Sequence, residues 1–124
     1  MGFLIVFLGG GLGAALRHGA NIVAARMLGT AFPYGTLIIN VLGSLAMGLI
    51  AEYFALKAGL PQRWRLFLTT GILGGFTTFS AFSLEAALLY ERGQFAGSAI
   101  YVIASVALAI GALFAGMAIV RMLV

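Results

Sequence analysis

Residues 74–83 read Gly74-Gly75-Phe76-Thr77-Thr78-Phe79-Ser80-Ala81-Phe82-Ser83, and they fall halfway along an apolar run expected to form one helix over about Trp64 to Tyr90. Each of the two adjacent glycines costs about 1 kcal/mol of helix propensity, and the two threonines bring hydroxyls that compete for backbone hydrogen bonds. The run is therefore expected to be interrupted here. An interruption in the middle of a membrane frees carbonyls from the first half-helix and N–H groups from the second, and such groups persist there only by binding ions, water or protein. That is the physical form of an ion site. Phe76, Phe79 and Phe82 recur every third residue, which on helical spacing alone reads as a packing stripe. Ser80 and Ser83, however, directly follow Phe79 and Phe82. Ring edges carry the positive end of the aromatic quadrupole and hydroxyls can donate, so this neighbourhood suits an anion better than a cation.

The rest of the chain makes lipid the expected solvent. Of 124 residues, 63% are hydrophobic and only 8% charged, against about 25% charged in a soluble domain. A bilayer core about 30 Å thick takes about 20 helical residues to cross, so four crossings with short loops use nearly all of this length. The expected fold class is all-α: a single four-helix transmembrane domain, residues 1–124, with helices over about 3–27, 34–56, 64–90 and 95–122 and the third broken near the bilayer midplane. Turn residues Gly29 to Pro33 separate the first two, and the polar stretch from Lys57 to Arg65 marks a water-facing loop. Glu91-Arg92-Gly93-Gln94 separates the last two. Gly2 to Leu16 is similar to a signal-peptide core, but without a basic lead and with three equally apolar segments after it, it reads as a retained first helix.

The net charge of +4 comes from seven Lys/Arg against Glu52, Glu85 and Glu91, too scattered to track phosphates, so a nucleic-acid partner is not expected. The absence of cysteine excludes disulfides and thiolate metal sites. One end of the bundle carries Lys57, Arg63, Arg65 and Arg121, and the other Arg26 and Arg92. This modest bias favours both termini in the cytoplasm, yet it leaves room for copies inserted upside down. A unit this small can hardly enclose a pathway alone, so self-association is expected. Gly9 and Gly13, Gly71 and Gly75, and Ala107, Gly111 and Ala115 form faces of small residues on which helices could approach closely, within one subunit or between two.

Polar groups stand out on such a background. Thr36, Asn40 and Ser44 share one face of the second helix, and Ser98, Tyr101 and Ser105 form a stripe on the fourth. Two stripes allow a groove filled by water or ligand. The alternative for Thr36, Ser44 and Ser98 is a bond back to their own helix carbonyls. Asn40 carries two donors and an acceptor that its own helix cannot satisfy, so it must reach a neighbour, a water or a ligand. Arg17, well inside the first helix, must be paired, snorkel to the surface or serve an ion path, with pairing or backbone capping the preferred reading. Glu85 reads as a structural partner for a donor or cation. His18 has no second ligand near it for a metal or catalytic set.

Taken together, Gly9-Gly10-Gly11-Leu12-Gly13-Ala14 leading to Arg17, Gly35-Thr36-Leu37 with Asn40-Val41-Leu42-Gly43-Ser44, and Gly74 to Ser80 with Phe82, Ser83 and Glu85 make the whole chain resemble the Fluc (CrcB) family of microbial fluoride channels. The resemblance implies a passive, fluoride-selective channel of the bacterial inner membrane, built as an antiparallel dual-topology homodimer with two pores, that lets cytoplasmic fluoride leave down its gradient. It also implies a fluoride pathway made by an aromatic box of Phe79 and Phe82, with Asn40, Thr36, Ser83, Ser105 and Tyr101 contributing polar groups. By the same resemblance, Arg17 and Glu85 are expected in structural or vestibule positions. A structural sodium ion at the dimer centre is implied as cofactor, held by the backbone carbonyls of Gly74 and Thr77. The chain departs from the family pattern at Ala81, where Thr is usual, and at His18, where Tyr is common.

The main rival is a small multidrug exporter that couples protons to lipophilic cations. That chemistry needs a membrane-embedded acid in the first helix, which here has Arg17 and no acid. A purely structural membrane protein would require every polar stripe to be self-satisfied. No nucleophile, base and orienting group occur together, so an enzyme is not expected.

Overall fold

A computed structural model describes residues 1–124. It is all-helical. Helix α1 (Gly2–Leu28) and α2 (Tyr34–Leu56) are joined through Gly29, whose φ of 79° suits glycine, and Pro33. A third crossing follows in pieces: α3 (Gln62–Leu66), a π-helical stretch (Phe67–Leu73), α4 (Gly74–Phe76), two extended residues, and α5 (Phe79–Glu91). Helix α6 (Phe95–Leu123) completes the chain. Four helical segments, Gly2–Leu28, Tyr34–Leu56, Gln62–Glu91 and Phe95–Leu123, are long and apolar enough to cross a membrane.

Only 14 of the 124 residues are buried, while Phe3, Phe7, Ile103, Phe114 and many other large apolar side chains point outward. Water would penalise such a surface, and lipid does not. Packing inside the bundle relies on backbone contact. A Cβ on Gly9 would lie 2.9 Å from the Cα of Gly71, one on Gly13 would strike the carbonyl of Ile72, and one on Gly75 the carbonyl of Gly10. Helix α1 therefore lies directly on the third crossing. Helices α2 and α6 meet the same way, with Gly48 against the Leu113 carbonyl and Gly116 against that of Leu45. Within the subunit, the close approach on α6 is made by Gly116, while a Cβ on Gly111, in the small-residue face of Ala107, Gly111 and Ala115, would meet nothing within 4 Å. At the chain-terminal end of this pair, Arg121 donates to the buried Glu52 carboxylate at 3.1 Å.

The interruption of the third crossing is present within the 74–83 stretch where it is expected, and it falls on the threonine pair rather than on Gly74 and Gly75. Both are helical, and the missing Cβ of Gly75 is what lets α1 approach. The chain leaves the helix at Thr77 (φ −83°, ψ 158°) and Thr78 (φ −151°, ψ 119°). β-Branched residues are comfortable in extended backbone, and a Thr hydroxyl can cap the next helix. Thr78 does so, its Oγ1 accepting the N–H of Ala81 at 3.1 Å. Thr77 instead turns its hydroxyl back to the Leu73 carbonyl at 2.8 Å. Nothing in the composition of residues 67–73 signals their π-helical turn.

Candidate functional site

The break is held open by α2. Asn40 donates through Nδ2 to the Thr78 carbonyl at 3.0 Å and accepts the Thr78 N–H through Oδ1 at 2.9 Å. With the Thr78 N–H turned to Asn40, no backbone N–H returns to the Gly74 carbonyl, and with the Ala81 N–H on the Thr78 hydroxyl, none returns to Thr77. Between them, the Gly75 carbonyl accepts the Arg17 Nε–H at 3.1 Å. Arg17 thus caps backbone released by the break. It does not line the groove described next.

A groove of about 330 Å³ opens beside the break. Asn40 and Ser44 enter it from α2, Thr77 and Thr78 from the break, Phe79 and Phe82 from α5, and Ser105 from α6. The Phe79 and Phe82 ring centroids are 5.5 Å apart. Phe79 is largely exposed at the groove rim. Phe76, on the far side of the break, packs near Gly43 rather than continuing the pair, so the three-residue spacing does not make one stripe. Ser105 is buried, and its hydroxyl is the one buried side-chain polar atom in the chain without a hydrogen-bond partner.

Asn40, Phe79, Phe82 and Ser105 thus come together in one groove. Ser83 does not join them: its hydroxyl donates to the Phe79 carbonyl of its own helix at 3.0 Å. Thr36 and Tyr101 lie deeper, tied to a common acceptor. Thr36 donates to one Glu85 oxygen at 2.9 Å and Tyr101 to the other at 3.0 Å. Glu85 thereby joins the two polar stripes of α2 and α6. Neither Thr36 nor Ser98 follows the back-bonding alternative, because Ser98 crosses to the Ala86 carbonyl of α5 at 2.9 Å.

Sequence reasoning missed Phe32, which lies in the α1–α2 link. Its ring meets that of Tyr101 edge-on with centroids 5.6 Å apart, and Tyr101 meets Phe82 at 5.2 Å. Phe32, Tyr101, Phe82 and Phe79 form a ladder of rings from the link to the break. A proline-containing turn carries no periodicity that could have announced this.

Chemically, the groove is lined by two phenyl rings, an amide and a serine whose hydroxyl has no partner, a set suited to a small anion. The carbonyls of Gly74 and Thr77 offer the opposite polarity. No cluster of His, Cys, Asp or Glu suited to a metal exists, so a hard cation would draw on neutral oxygens such as backbone carbonyls. Those two carbonyls, free of N–H partners, fit that requirement.

Residues 4–117 match the family model described as "CrcB-like protein, Camphor Resistance (CrcB)". The chain is similar to the protein named fluoride-specific ion channel FluC of Rhodopseudomonas palustris strain BisB5, at 69% identity over 121 residues that cover 98% of each chain. The like-named protein of Methylobacterium nodulans is 64% identical over 118 residues, covering 95% of this chain and 94% of its own. That of Granulibacter bethesdensis is 60% identical over 124 residues, covering all of this chain and 98% of its own.

Proposed function

Because this chain belongs to the family of CrcB-like membrane proteins, we propose that it is a fluoride-selective channel whose ion passes through the groove at the Thr77–Thr78 break. It is a multi-pass protein of the bacterial inner membrane. The observation that carries the route is that Ser105, whose buried hydroxyl has no hydrogen-bond partner, lines a groove rimmed by Phe79 and Phe82. A buried hydroxyl without a partner costs about 1–3 kcal/mol, and a passing anion relieves that cost.

Fluoride is small and strongly hydrated, so its path must replace water with donors at close range. Ser105 supplies one directly. Asn40 uses one amide hydrogen on Thr78 and retains a second, so the clamp that shapes the break also presents a donor to the groove. Ring edges of Phe79 and Phe82 add weaker positive potential that involves no proton transfer. Tyr101 and Thr36, directed to Glu85, hold the ring ladder and the second helix in register. Nothing in this arrangement couples transport to an energy source. The exporter alternative is set aside, since α1 has no acid and relatives at 60–69% identity are named for fluoride.

We further propose that two inverted copies assemble as a dual-topology homodimer with a pore on each side. Support comes from the weak charge bias between the two ends of the bundle and from the outward-facing apolar surface. In such a pair the Gly74 and Thr77 carbonyls of both copies would hold a structural sodium ion, which would supply fixed positive charge at the dimer centre.

The reading is tested with purified protein in liposomes loaded with potassium fluoride or potassium chloride and followed by ion-selective electrodes. Rapid fluoride loss with little chloride loss is expected. Equal release of both halides, or of neither, overturns it.

A further inference from the structure

At the end of the bundle away from the chain termini, a second cavity of about 280 Å³ lies under the α1–α2 link. Thr36 and Glu85 form its inner wall, and Asn21 of α1 and Arg92 at the C-terminus of α5 also line it. Phe32 belongs to the cavity as well, and through Tyr101 it is one ring removed from Phe82 in the groove. The two cavities are therefore separated by the Tyr101–Glu85–Thr36 cluster and joined by the ring ladder.

The polar groups of this cavity divide into a carboxylate already hydrogen-bonded on both oxygens and donors with no partner. Both Glu85 oxygens already accept a hydrogen bond, from Thr36 and from Tyr101. Arg92 has no carboxylate within ion-pair distance, since Arg121 with Glu52 is the only salt bridge in the chain. The Asn21 amide donates no hydrogen bond to protein, while its Oδ1 rests so closely on Gly35 that a Cβ there would collide with it. A cation entering would meet an unpaired guanidinium beside a Glu85 carboxylate whose oxygens already face the Thr36 and Tyr101 hydroxyls. An anion would meet the guanidinium and the amide hydrogens.

We infer that this cavity is the second mouth of the fluoride pathway and a small-anion site, in which Arg92 gathers fluoride electrostatically and Asn21 hydrogen-bonds it before it reaches Tyr101. The inference rests on the channel reading above and adds two residues to it. A charge at a low-dielectric mouth raises the local concentration of its counter-ion, and salt screens that effect over about 8–10 Å. A neutral amide acts only at contact and is insensitive to salt.

The test compares initial fluoride efflux from liposomes for wild type, Arg92→Gln, Arg92→Lys, Asn21→Ala and Arg26→Gln, at low and high ionic strength set with potassium gluconate. Arg26 lies in the last turn of α1 at the same end of the bundle but does not line the cavity. Arg92→Gln is expected to lower flux at least about threefold at low ionic strength, with the deficit closing at high salt, whereas Arg92→Lys and Arg26→Gln stay near wild type. Asn21→Ala is expected to lower flux at both salt levels. Matching behaviour of Arg92→Gln and Arg26→Gln, or wild-type flux in both Arg92→Gln and Asn21→Ala, overturns the inference while leaving the channel reading intact. Absence of fluoride flux in wild type overturns both. Thermal unfolding of each variant in detergent separates lost flux from lost fold.

Discussion

Asn40 and Thr78 bind each other twice, the amide nitrogen donating to the Thr78 carbonyl at 3.0 Å and the amide oxygen accepting the Thr78 N–H at 2.9 Å. One side chain from α2 thus replaces both hydrogen bonds that the broken helix gives up at that residue. The substitution of side chain for helix is what allows extended backbone in a region where an orphaned peptide group would cost several kcal/mol.

Replacing Asn40 by Asp removes the donor to Thr78 and sets a carboxylate oxygen against a carbonyl. Loss of one buried charged or neutral hydrogen bond of this kind costs about 1–3 kcal/mol. Asn40→Asp should lower the thermal unfolding temperature in detergent and reduce fluoride efflux in liposomes. Wild-type stability would contradict the clamp.

Ser105→Ala has the opposite sign on stability. Its hydroxyl is buried and unpartnered, so removing it should leave the protein as stable or more stable by up to about 1–3 kcal/mol. Fluoride flux should nevertheless fall, because an unpartnered donor in the wall of the groove is lost. A stable variant with undiminished flux would show that Ser105 is not on the route.

Gly13→Ala places a methyl against the Ile72 carbonyl and within 2.9 Å of the Phe76 backbone nitrogen. Backbone cannot swing aside as a side chain can, so the helices must separate at a cost of about 1–3 kcal/mol. Gly111→Ala, facing open space, should be neutral or stabilise by up to about 1 kcal/mol through helix propensity. Thermal unfolding of the two variants side by side checks this; equal shifts would contradict the packing described for α1.

What local sequence determines in this chain and what it does not divide along physical lines. Four apolar runs of membrane length, and an interruption in the third, follow from composition and local propensity, which act within a few residues. The exact residues of the break within 74–83 do not: Gly74 and Gly75 are poor helix formers in isolation, but contact of Gly75 with α1 holds that turn helical and leaves the interruption to Thr77 and Thr78. Asn40 was legible as a residue that must reach beyond its own helix, although its partner was not. Glu85 was legible as an acceptor for some donor, but its two donors come from helices 49 and 16 residues away in sequence. Phe32, Asn21 and Arg92 carried no local signal, because a loop aromatic, a lone amide and a helix-end arginine become a cavity only when three helices converge.

Fluoride and chloride efflux from liposomes containing Phe79→Ala or Phe82→Ala, each measured beside its thermal unfolding in detergent, tests the central claim most directly. Phe79 is 79% exposed, so its truncation removes little packing. We predict that both variants remain folded while fluoride flux falls at least about tenfold, a barrier increase of roughly 1.4 kcal/mol or more. Folded variants that pass fluoride at the wild-type rate would contradict a route through the groove at the break.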